Sequence, residues 1–215
     1  MRIIVIGDIH GRNIWKDIVN KEKGLFIFLG DYFDSFDIPL EEQIGNFQDI
    51  LEFSKNNDCI LLMGNHDYHY LVEGERYSGF QSAGYPTINW LLTSANLKIA
   101  CKYENFLFSH AGITNTWLNG RDLEDVNDFN LKEFRFNGRN VYGDDVTQGP
   151  LWVRPASLNL DGLKSVGGVN IIQVVGHTQQ DAIDLDGRNI FCDTLEVGEY
   201  LIIDDLGISV GKITK

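Results

Sequence analysis

The chain has 215 residues, of which 43% are hydrophobic and 23% are charged. This composition is typical of a globular protein and excludes a disordered, fibrous or coiled-coil chain. Its 18 basic and 31 acidic side chains give a net charge of −13, which argues against binding to long nucleic acid or to a membrane surface. The length predicts one domain over residues 1–215.

The first part of the chain alternates short aliphatic runs with amphipathic stretches. Residues 3–6, 26–29 and 60–63 are predicted strands, because each is a short apolar run bounded by turn residues. Residues 13–21 and 39–54 have the apolar spacing of helices. This order predicts a βαβαβ opening. The first run is too short for a signal sequence or a membrane span.

The middle of the chain predicts a helix over residues 80–94, interrupted at Tyr85-Pro86, and paired strands over residues 98–102 and 105–109. Residues 113–150 are polar and spotted with glycine, and we predict that they form an inserted lid or cap segment.

The last third of the chain reads as a meander of strands separated by turns. The predicted strands are residues 171–175, 189–192, 200–204 and 208–210, with Asp186-Gly187 as a hairpin turn. Three widely spaced cysteines lie in apolar runs. They are expected to be reduced thiols, which indicates a cytoplasmic location.

Polar motifs follow five of the apolar runs directly. They are Gly7-Asp8-Ile9-His10-Gly11, Gly30-Asp31, Gly64-Asn65-His66-Asp67, Ser109-His110-Ala111-Gly112 and Gly176-His177-Thr178. Runs that are apolar on both faces predict central strands of a covered sheet, and ligands bind just beyond the carboxyl ends of such strands. The motifs are therefore expected to converge on one site.

The side chains of these motifs form a set of nitrogen and oxygen donors without a thiolate. Six are candidate metal ligands: Asp8, His10, Asp31, Asn65, His110 and His177. Such donors suit a hard or borderline divalent metal and disfavour a closed structural zinc site. They exceed the needs of one ion, so we predict two ions about 3.5–4 Å apart that clamp a phosphoryl group.

The ordered motifs resemble those of the calcineurin-like metallophosphoesterase superfamily, and most closely its bacterial and phage serine/threonine protein phosphatase branch. Cys192-Asp193-Thr194 resembles the Asp-Thr that follows the last histidine motif in that branch. The resemblance implies a four-layer α/β/β/α sandwich with two mixed β-sheets.

The resemblance also implies a role for each metal ligand. Asp8 and His10 would bind one metal, Asn65, His110 and His177 would bind the other, and Asp31 would bridge both. The two divalent ions would be manganese in the first place, with iron, zinc or nickel as alternatives.

Three further residues receive roles in catalysis from the resemblance. His66 would be the general acid for the leaving group, and Asp34 would orient its ring, with an N-cap of the following helix as the alternative for Asp34. Arg154, in a Trp-x-Arg segment, would bind the phosphate together with Asn65; the alternative is a surface arginine before a proline.

The sequence departs from the branch at several positions. Ser35-Phe36 stands where the branch has Arg-Gly, so a phosphate-binding arginine is absent; Arg12 could replace it or be an ordinary exposed arginine. Asp67 replaces the glutamate that is more common in the branch, and an aspartate at this position is more usual in the wider superfamily. Gln179 stands where many phosphodiesterases have a further histidine ligand. His69 is expected to be a surface or packing residue.

Together these features predict a phosphohydrolase in which a metal-bridging hydroxide attacks a phosphomonoester. The substrate would be a phosphoprotein, a nucleotide or a small phosphate. A dinucleoside-polyphosphate hydrolase and a phosphodiesterase are the alternative enzymes. A non-catalytic scaffold is the least favoured, because no metal ligand is lost. The sequence leaves the natural substrate and the oligomeric state open.

Overall fold

The computed structural model describes residues 1–139 and 144–214. The strands are β1 (Ile3–Ile6), β2 (Leu25–Phe28), β3 (Cys59–Leu61), β4 (Ala100–Tyr103), β5 (Phe106–Ser109), β6 (Ser165–Val166), β7 (Val169–Asn170), β8 (Ile172–Val175), β9 (Asn189–Phe191), β10 (Glu199–Asp204) and β11 (Gly207–Lys212). The helices are α1 (Trp15–Lys21), α2 (Leu40–Asn56), α3 (Asn65–Leu71), α4 (Tyr85–Ser94), α5 (Asn115–Leu118) and α6 (Pro155–Asp161). Short 3-10 helices cover Glu124–Asp128, Leu131–Phe134 and Leu195–Val197.

The strands form two mixed sheets and a small separate hairpin. The first sheet has the order β11-β10-β1-β2-β3, in which β1, β2 and β3 are parallel and β10 and β11 are antiparallel. The second sheet has the order β4-β5-β8-β9, in which only β4 runs antiparallel to its neighbour. The predicted βαβαβ opening and the antiparallel pair that follows it are confirmed.

The two sheets pack face to face, and helices cover both outer faces. Strand β1 shows why its run is apolar throughout. Ile3 and Val5 pack between the sheets, whereas Ile4 and Ile6 face the core under α1, α2 and α4. Because side chains alternate along a strand, both faces of β1 are buried. The expected four-layer α/β/β/α sandwich is confirmed.

The segment predicted as an insertion packs on the outer face of the second sheet. Leu118, Val126 and Phe134 are buried in the core of that face. The side chain of Asn127 accepts a hydrogen bond from the backbone N–H of Ile99 at 2.8 Å, beside the edge strand β4. Its role as a lid stays a prediction, and residues 140–143 lie outside the described residues.

The predicted meander in the last third is wrong except for its last two strands, which form an antiparallel hairpin. Strand β9 is parallel to β8, so Asp186-Gly187 lies in a crossover and not in a hairpin turn. The reason is that the chain leaves β8 at its carboxyl end, with His177. It must then return to the level of the amino end of β8 before the parallel strand β9 begins. Strand β10 then joins the first sheet, where β10 and β11 form an antiparallel pair.

Two further expectations need correction. The five apolar runs do not share one sheet, because β5 and β8 belong to the second sheet. The helix predicted over residues 80–94 is confined to Tyr85–Ser94, with Pro86 in its first turn, where a proline needs no backbone N–H partner. Among the helices that the structure describes, none has both the length and the apolar character needed to cross a bilayer.

Candidate functional site

The carboxyl ends of β1, β2 and β3 meet those of β5 and β8 at one edge of the sandwich. The structure brings the side chains that follow these strands into two clusters, Asp8/His10/Asp31 and Asp31/His110/His177, which share Asp31. Within each cluster the donor atoms lie within 4.8 Å of one another. The Oδ1 atom of Asn65 lies 2.9 Å from His110 Nε2 and 2.8 Å from His177 Nδ1.

Backbone carbonyl groups orient the three imidazoles. His10 Nδ1 lies 2.7 Å from the carbonyl oxygen of Phe33, and His110 Nδ1 lies 2.8 Å from that of Leu29. Since a carbonyl only accepts, each Nδ1 carries a proton, and each Nε2 is the nitrogen that could bind a metal ion. These two Nε2 atoms lie 3.7 Å and 3.4 Å from Asp31 Oδ2.

His177 presents its other nitrogen to the site. Its Nε2 lies 3.2 Å from the carbonyl oxygen of Trp152 and its Nδ1 lies 2.8 Å from Asn65 Oδ1, so a metal ion bound to Nδ1 would leave the ring proton on Nε2, facing Trp152. The sequence motif predicts a histidine at this position but gives no indication of which nitrogen faces the site. That choice depends on Trp152, 25 residues away in the chain.

Several site residues have left-handed backbone conformations. The φ angles are 41° at His10, 52° at Asp31, 67° at Asp34 and 65° at His177. Such angles are uncommon for residues other than glycine, and they persist only where surrounding contacts fix them. The strand ends therefore turn sharply to aim these side chains at a common point.

Two carboxylates hold the loops at the strand ends together. Asp67 accepts hydrogen bonds from the backbone N–H groups of Gly64, Asp31 and Tyr32 at 2.8–2.9 Å. Asp8 accepts the N–H of His177 at 3.0 Å, which links the two sheets. Sequence reasoning gave Asp67 no role, although its place three residues after Gly64 is the position of a capping-box carboxylate.

The buried site concentrates negative charge. Burial and the neighbouring Asp193 raise the pKa of Asp8 well above its usual range. Burial would also raise the pKa of Asp31, but His110 and His66 outweigh it and hold that pKa well below its usual range. Ionised Asp8 therefore lacks sufficient positive charge around it, and a cation would supply it. The donor set and its charge both fit divalent metal ions.

His66 lies beside the first cluster, with its ring centroid 5.2 Å from that of His10. Its Nδ1 is 2.9 Å from Asp34 Oδ2, and its backbone N–H donates to Asp31 Oδ1 at 2.8 Å. With Nδ1 engaged by Asp34, Nε2 is the nitrogen available to a substrate. Asp34 does not cap the following helix, because the N-cap of α2 is Pro39.

Comparison with protein families agrees with this geometry. A model of calcineurin-like phosphoesterases matches residues 1–205. The chain belongs to this family. Comparison with curated protein sequences gives no significant match.

Solved structures share the fold of this phosphoesterase at low identity. A cold-active protein-tyrosine phosphatase from a psychrophilic Shewanella species is 19% identical, with a TM-score of 0.68 over 98% of this chain and 77% of that one. A protein serine/threonine phosphatase from Saccharomyces cerevisiae is 16% identical, with a TM-score of 0.61 over 100% and 81%. A metallophosphoesterase from Sphaerobacter thermophilus is 14% identical, with a TM-score of 0.52 over 100% and 89%.

Two arginines of the phosphoesterase border the site. The half-buried Arg154 donates through Nη1 to Thr178 Oγ1 at 3.1 Å and to the carbonyl oxygen of His177 at 3.3 Å. Arg154 is thus fixed next to a candidate metal ligand. The Nη2 atom of Arg12 lies 3.6 Å from Glu196 Oε2, a carboxylate that partly neutralises its charge.

Ser35, which replaces the arginine of the phosphatase branch, has a local structural role. Its Oγ accepts hydrogen bonds from the N–H groups of Asp37 and Ile38 at 3.3 Å and 3.1 Å, and its own N–H donates to Gln43 Oε1 at 3.2 Å. Ser35 therefore stabilises the turn that leads into α2. An arginine at this position would lose both hydroxyl contacts.

His69 was expected to be a surface or packing residue. It is not at the surface, and the expectation of a packing role is confirmed. Its side chain is buried, and its Nε2 lies 2.7 Å from Asp34 Oδ2. The sequence signal was its spacing of three residues from His66 on one helix, which places both rings on the same side of α3.

Gly64 allows the second and third strand ends to approach each other. A Cβ atom at Gly64 would lie 2.1 Å from Asp31 Oδ1 and 2.4 Å from the Asp31 nitrogen. We therefore expect Gly64→Ala to displace Asp31 and to lower metal affinity by about 10–100-fold, the usual cost of disturbing groups that orient a ligand. Equilibrium dialysis with Mn²⁺ measures this change.

Gly45→Ala is the matched control. Gly45 lies within α2, and a Cβ atom there has nothing within 4 Å. This variant should bind metal as the wild type does and should unfold at a higher temperature, since alanine favours a helix by about 1 kcal/mol over glycine. Unchanged metal affinity in Gly64→Ala would show that the close approach to Asp31 is not needed for binding.

Proposed function

We propose that this phosphoesterase is a dinuclear, divalent-metal-dependent hydrolase of phosphomonoesters. The observation that supports this most strongly is the pair of donor clusters that share Asp31. A carboxylate common to two donor sets suits a bridging ligand, and a single ion would leave the remaining donors of one set without a metal.

The proposed ligands follow from the positions of the donor atoms. Asp8 and His10 would hold one ion, Asn65, His110 and His177 would hold the other, and Asp31 would contact both. When bound, the ions supply charge neutralisation at the phosphoryl group and activate a water molecule. Manganese is our first choice, since the donors are carboxylates, an amide oxygen and imidazoles.

His66 is the proposed general acid. Asp34 holds the proton of the neutral ring on Nδ1, and a second proton on Nε2 is then available to the leaving oxygen. Burial lowers the pKa of His66, but Asp31, Asp34 and Asp67 together raise it above its usual value. A cation on Asp31 would remove part of this effect, and Asp34 would then be the main group favouring the protonated ring.

A phosphomonoester is favoured over a phosphodiester because Gln179 stands where many phosphodiesterases have a further histidine ligand. The Nε2 atom of Gln179 donates to Glu196 Oε2 at 2.7 Å in an exposed pair, so the residue stabilises the surface next to the site. A phosphoprotein or a small phosphate is therefore the proposed substrate. Two of the structural neighbours are named as protein phosphatases, which agrees with the first of these.

A panel of substrates tests this proposal. The purified chain, loaded with Mn²⁺, would be assayed with phosphopeptides, mononucleotides, a dinucleoside polyphosphate, p-nitrophenyl phosphate and bis-p-nitrophenyl phosphate. We expect the highest kcat/KM with a monoester. A higher kcat/KM with the diester or with the dinucleoside polyphosphate would contradict the assignment, and a chain that hydrolyses none of them would support a scaffold role.

Arg154→Ala should reduce kcat/KM for p-nitrophenyl phosphate by about 10²-fold, the scale of losing one fixed donor to the transition state. The reason is that a guanidinium beside His177 can bind phosphoryl oxygens that the metals do not hold. Hydrolysis of bis-p-nitrophenyl phosphate, which has one fewer anionic oxygen, should decrease less. Steady-state kinetics with both substrates measures the difference.

Arg12→Ala gives the comparison within the same site. Its partner Glu196 already offsets its charge, so we expect a smaller loss than for Arg154→Ala. Equal activity of wild type and Arg154→Ala on both substrates would show that this guanidinium does not bind the phosphate.

A further inference from the structure

A second histidine contacts the carboxylate that orients the general acid. His69 Nε2 lies 2.7 Å from Asp34 Oδ2, the same oxygen that lies 2.9 Å from His66 Nδ1. The His69 contact is close but lies outside ideal hydrogen-bond geometry. Both His69 and Asp34 are buried, whereas the side chain of His66 is 19% exposed. The innermost ring of this group therefore has no access to substrate.

A backbone N–H group determines which nitrogen of the neutral His69 ring carries the proton. The N–H of Tyr77 donates to His69 Nδ1 at 3.2 Å, which requires a lone pair on that nitrogen. The proton of the neutral ring therefore lies on Nε2 and faces Asp34. The ring of Tyr77 stacks on His69, with an interplanar angle of 9°, and Phe80 packs edge-on against it at 5.0 Å between centroids. The imidazole cannot turn over without breaking these contacts.

Asp34 thus faces three donors from one helix. Tyr70 donates its hydroxyl hydrogen to Oδ1 at 2.5 Å, while His66 and His69 face Oδ2. Burial would raise the pKa of Asp34, but these contacts outweigh it and hold the pKa below its usual value. The carboxylate stays ionised in an interior position, where an unpaired charge would be costly.

The three groups Asp34, His66 and His69 could also be read as a third metal site. The Tyr77 contact argues against this. A metal on His69 Nε2 would move the ring proton to Nδ1, where it would meet the N–H of Tyr77. Two hydrogens would then oppose each other at a buried position, so the geometry favours a proton between His69 and Asp34.

We propose that His69 is a positioning residue for proton transfer to the leaving group, acting through Asp34 on the orientation of His66. This inference rests on the proposed role of His66 as general acid. By occupying one side of Asp34 Oδ2, His69 restricts the carboxylate to the position that keeps His66 Nδ1 protonated and directs its Nε2 toward the substrate.

Two substitutions separate the contacts of His69. His69→Gln places an amide nitrogen near the position of Nε2 and keeps a donor to Asp34. His69→Asn keeps an acceptor for the Tyr77 N–H but has no atom that reaches Asp34. The Mn²⁺-loaded chain would be assayed with aryl and alkyl phosphates over a range of leaving-group pKa. Bound metal and thermal unfolding would be measured in parallel.

We expect His69→Asn to lower kcat by about 10–100-fold for alkyl phosphates, the range for losing a group that orients a reactive side chain. For p-nitrophenyl phosphate, whose leaving group needs little protonation, the loss should be below about threefold. His69→Gln should restore most of the activity, and metal content should match that of the wild type. Equal losses on all substrates, or no difference between the two variants, would overturn the proposal.

His66→Asn distinguishes this inference from the function on which it rests. If His66→Asn also loses most activity with poor leaving groups, and the double variant is no worse than His66→Asn alone, the two histidines act in one step. If His66→Asn shows that dependence while His69→Asn does not, only the role of His69 fails. If His66→Asn shows no such dependence, the general-acid role itself fails.

Discussion

Asp31→Asn should abolish turnover and reduce the metal content at both clusters. The substitution keeps an acceptor for the His66 N–H, which donates to Asp31 Oδ1 at 2.8 Å, but removes the charge that both clusters share. An amide is a poor bridge between two cations. The loss of metal affinity should therefore exceed the about 10–100-fold loss that follows when a residue orienting a metal ligand is substituted. Elemental analysis and p-nitrophenyl phosphate turnover measure the two effects.

Asp8→Asn is the informative comparison, because Asp8 belongs to one cluster only. It should weaken one metal and leave the other bound, whereas Asp31→Asn weakens both. Asp17→Asn, an exposed position on α1, changes the net charge by the same amount and should bind metal normally. If Asp31→Asn kept two metals and its activity, Asp31 would not be the shared ligand.

His66→Asn should lower kcat by about 10²–10⁴-fold, the usual cost of losing a general acid. The loss should be largest for alkyl phosphates and smallest for p-nitrophenyl phosphate, since a good leaving group departs without a proton. Metal content should stay at the wild-type level, because the nearest donor atoms of both clusters come from other residues. Kinetics over a series of leaving groups checks this expectation.

The metal content of His66→Asn is the control for this prediction. A variant that loses an ion together with its activity would show that His66 is a ligand and not the acid. A variant with wild-type rates on every substrate would show that another group protonates the leaving oxygen, and the contact between His66 and Asp34 would then be structural.

The convergence of the site was predictable because of a simple geometric rule. Polar residues after apolar strands lie at the carboxyl edge of a sheet, and this placed Asp8, Asp31 and Asn65 together. The rule holds within one sheet, so it does not by itself place His110 and His177, which follow strands of the second sheet. They join the site because the two sheets pack with the carboxyl ends of β5 and β8 at the same edge of the sandwich as those of β1, β2 and β3.

Other features depend on contacts that are distant in the chain. The parallel pairing of β8 with β9 could not be inferred from the Asp186-Gly187 signal, because a turn dipeptide fits a crossover as well as a hairpin. Burial of His69 depends on Tyr77 and Phe80, which follow α3 in a loop without a periodic pattern. Local spacing could not predict which nitrogen His177 presents, because Trp152 decides it.

Titration of metal-free protein with Mn²⁺ tests the two-metal account most directly. Bound metal and the turnover of p-nitrophenyl phosphate would be followed together as the ion is added. We predict that the wild type binds two equivalents per chain and that turnover reaches its maximum only when the second is bound. Full activity at one equivalent, or activity without any divalent ion, would contradict the account.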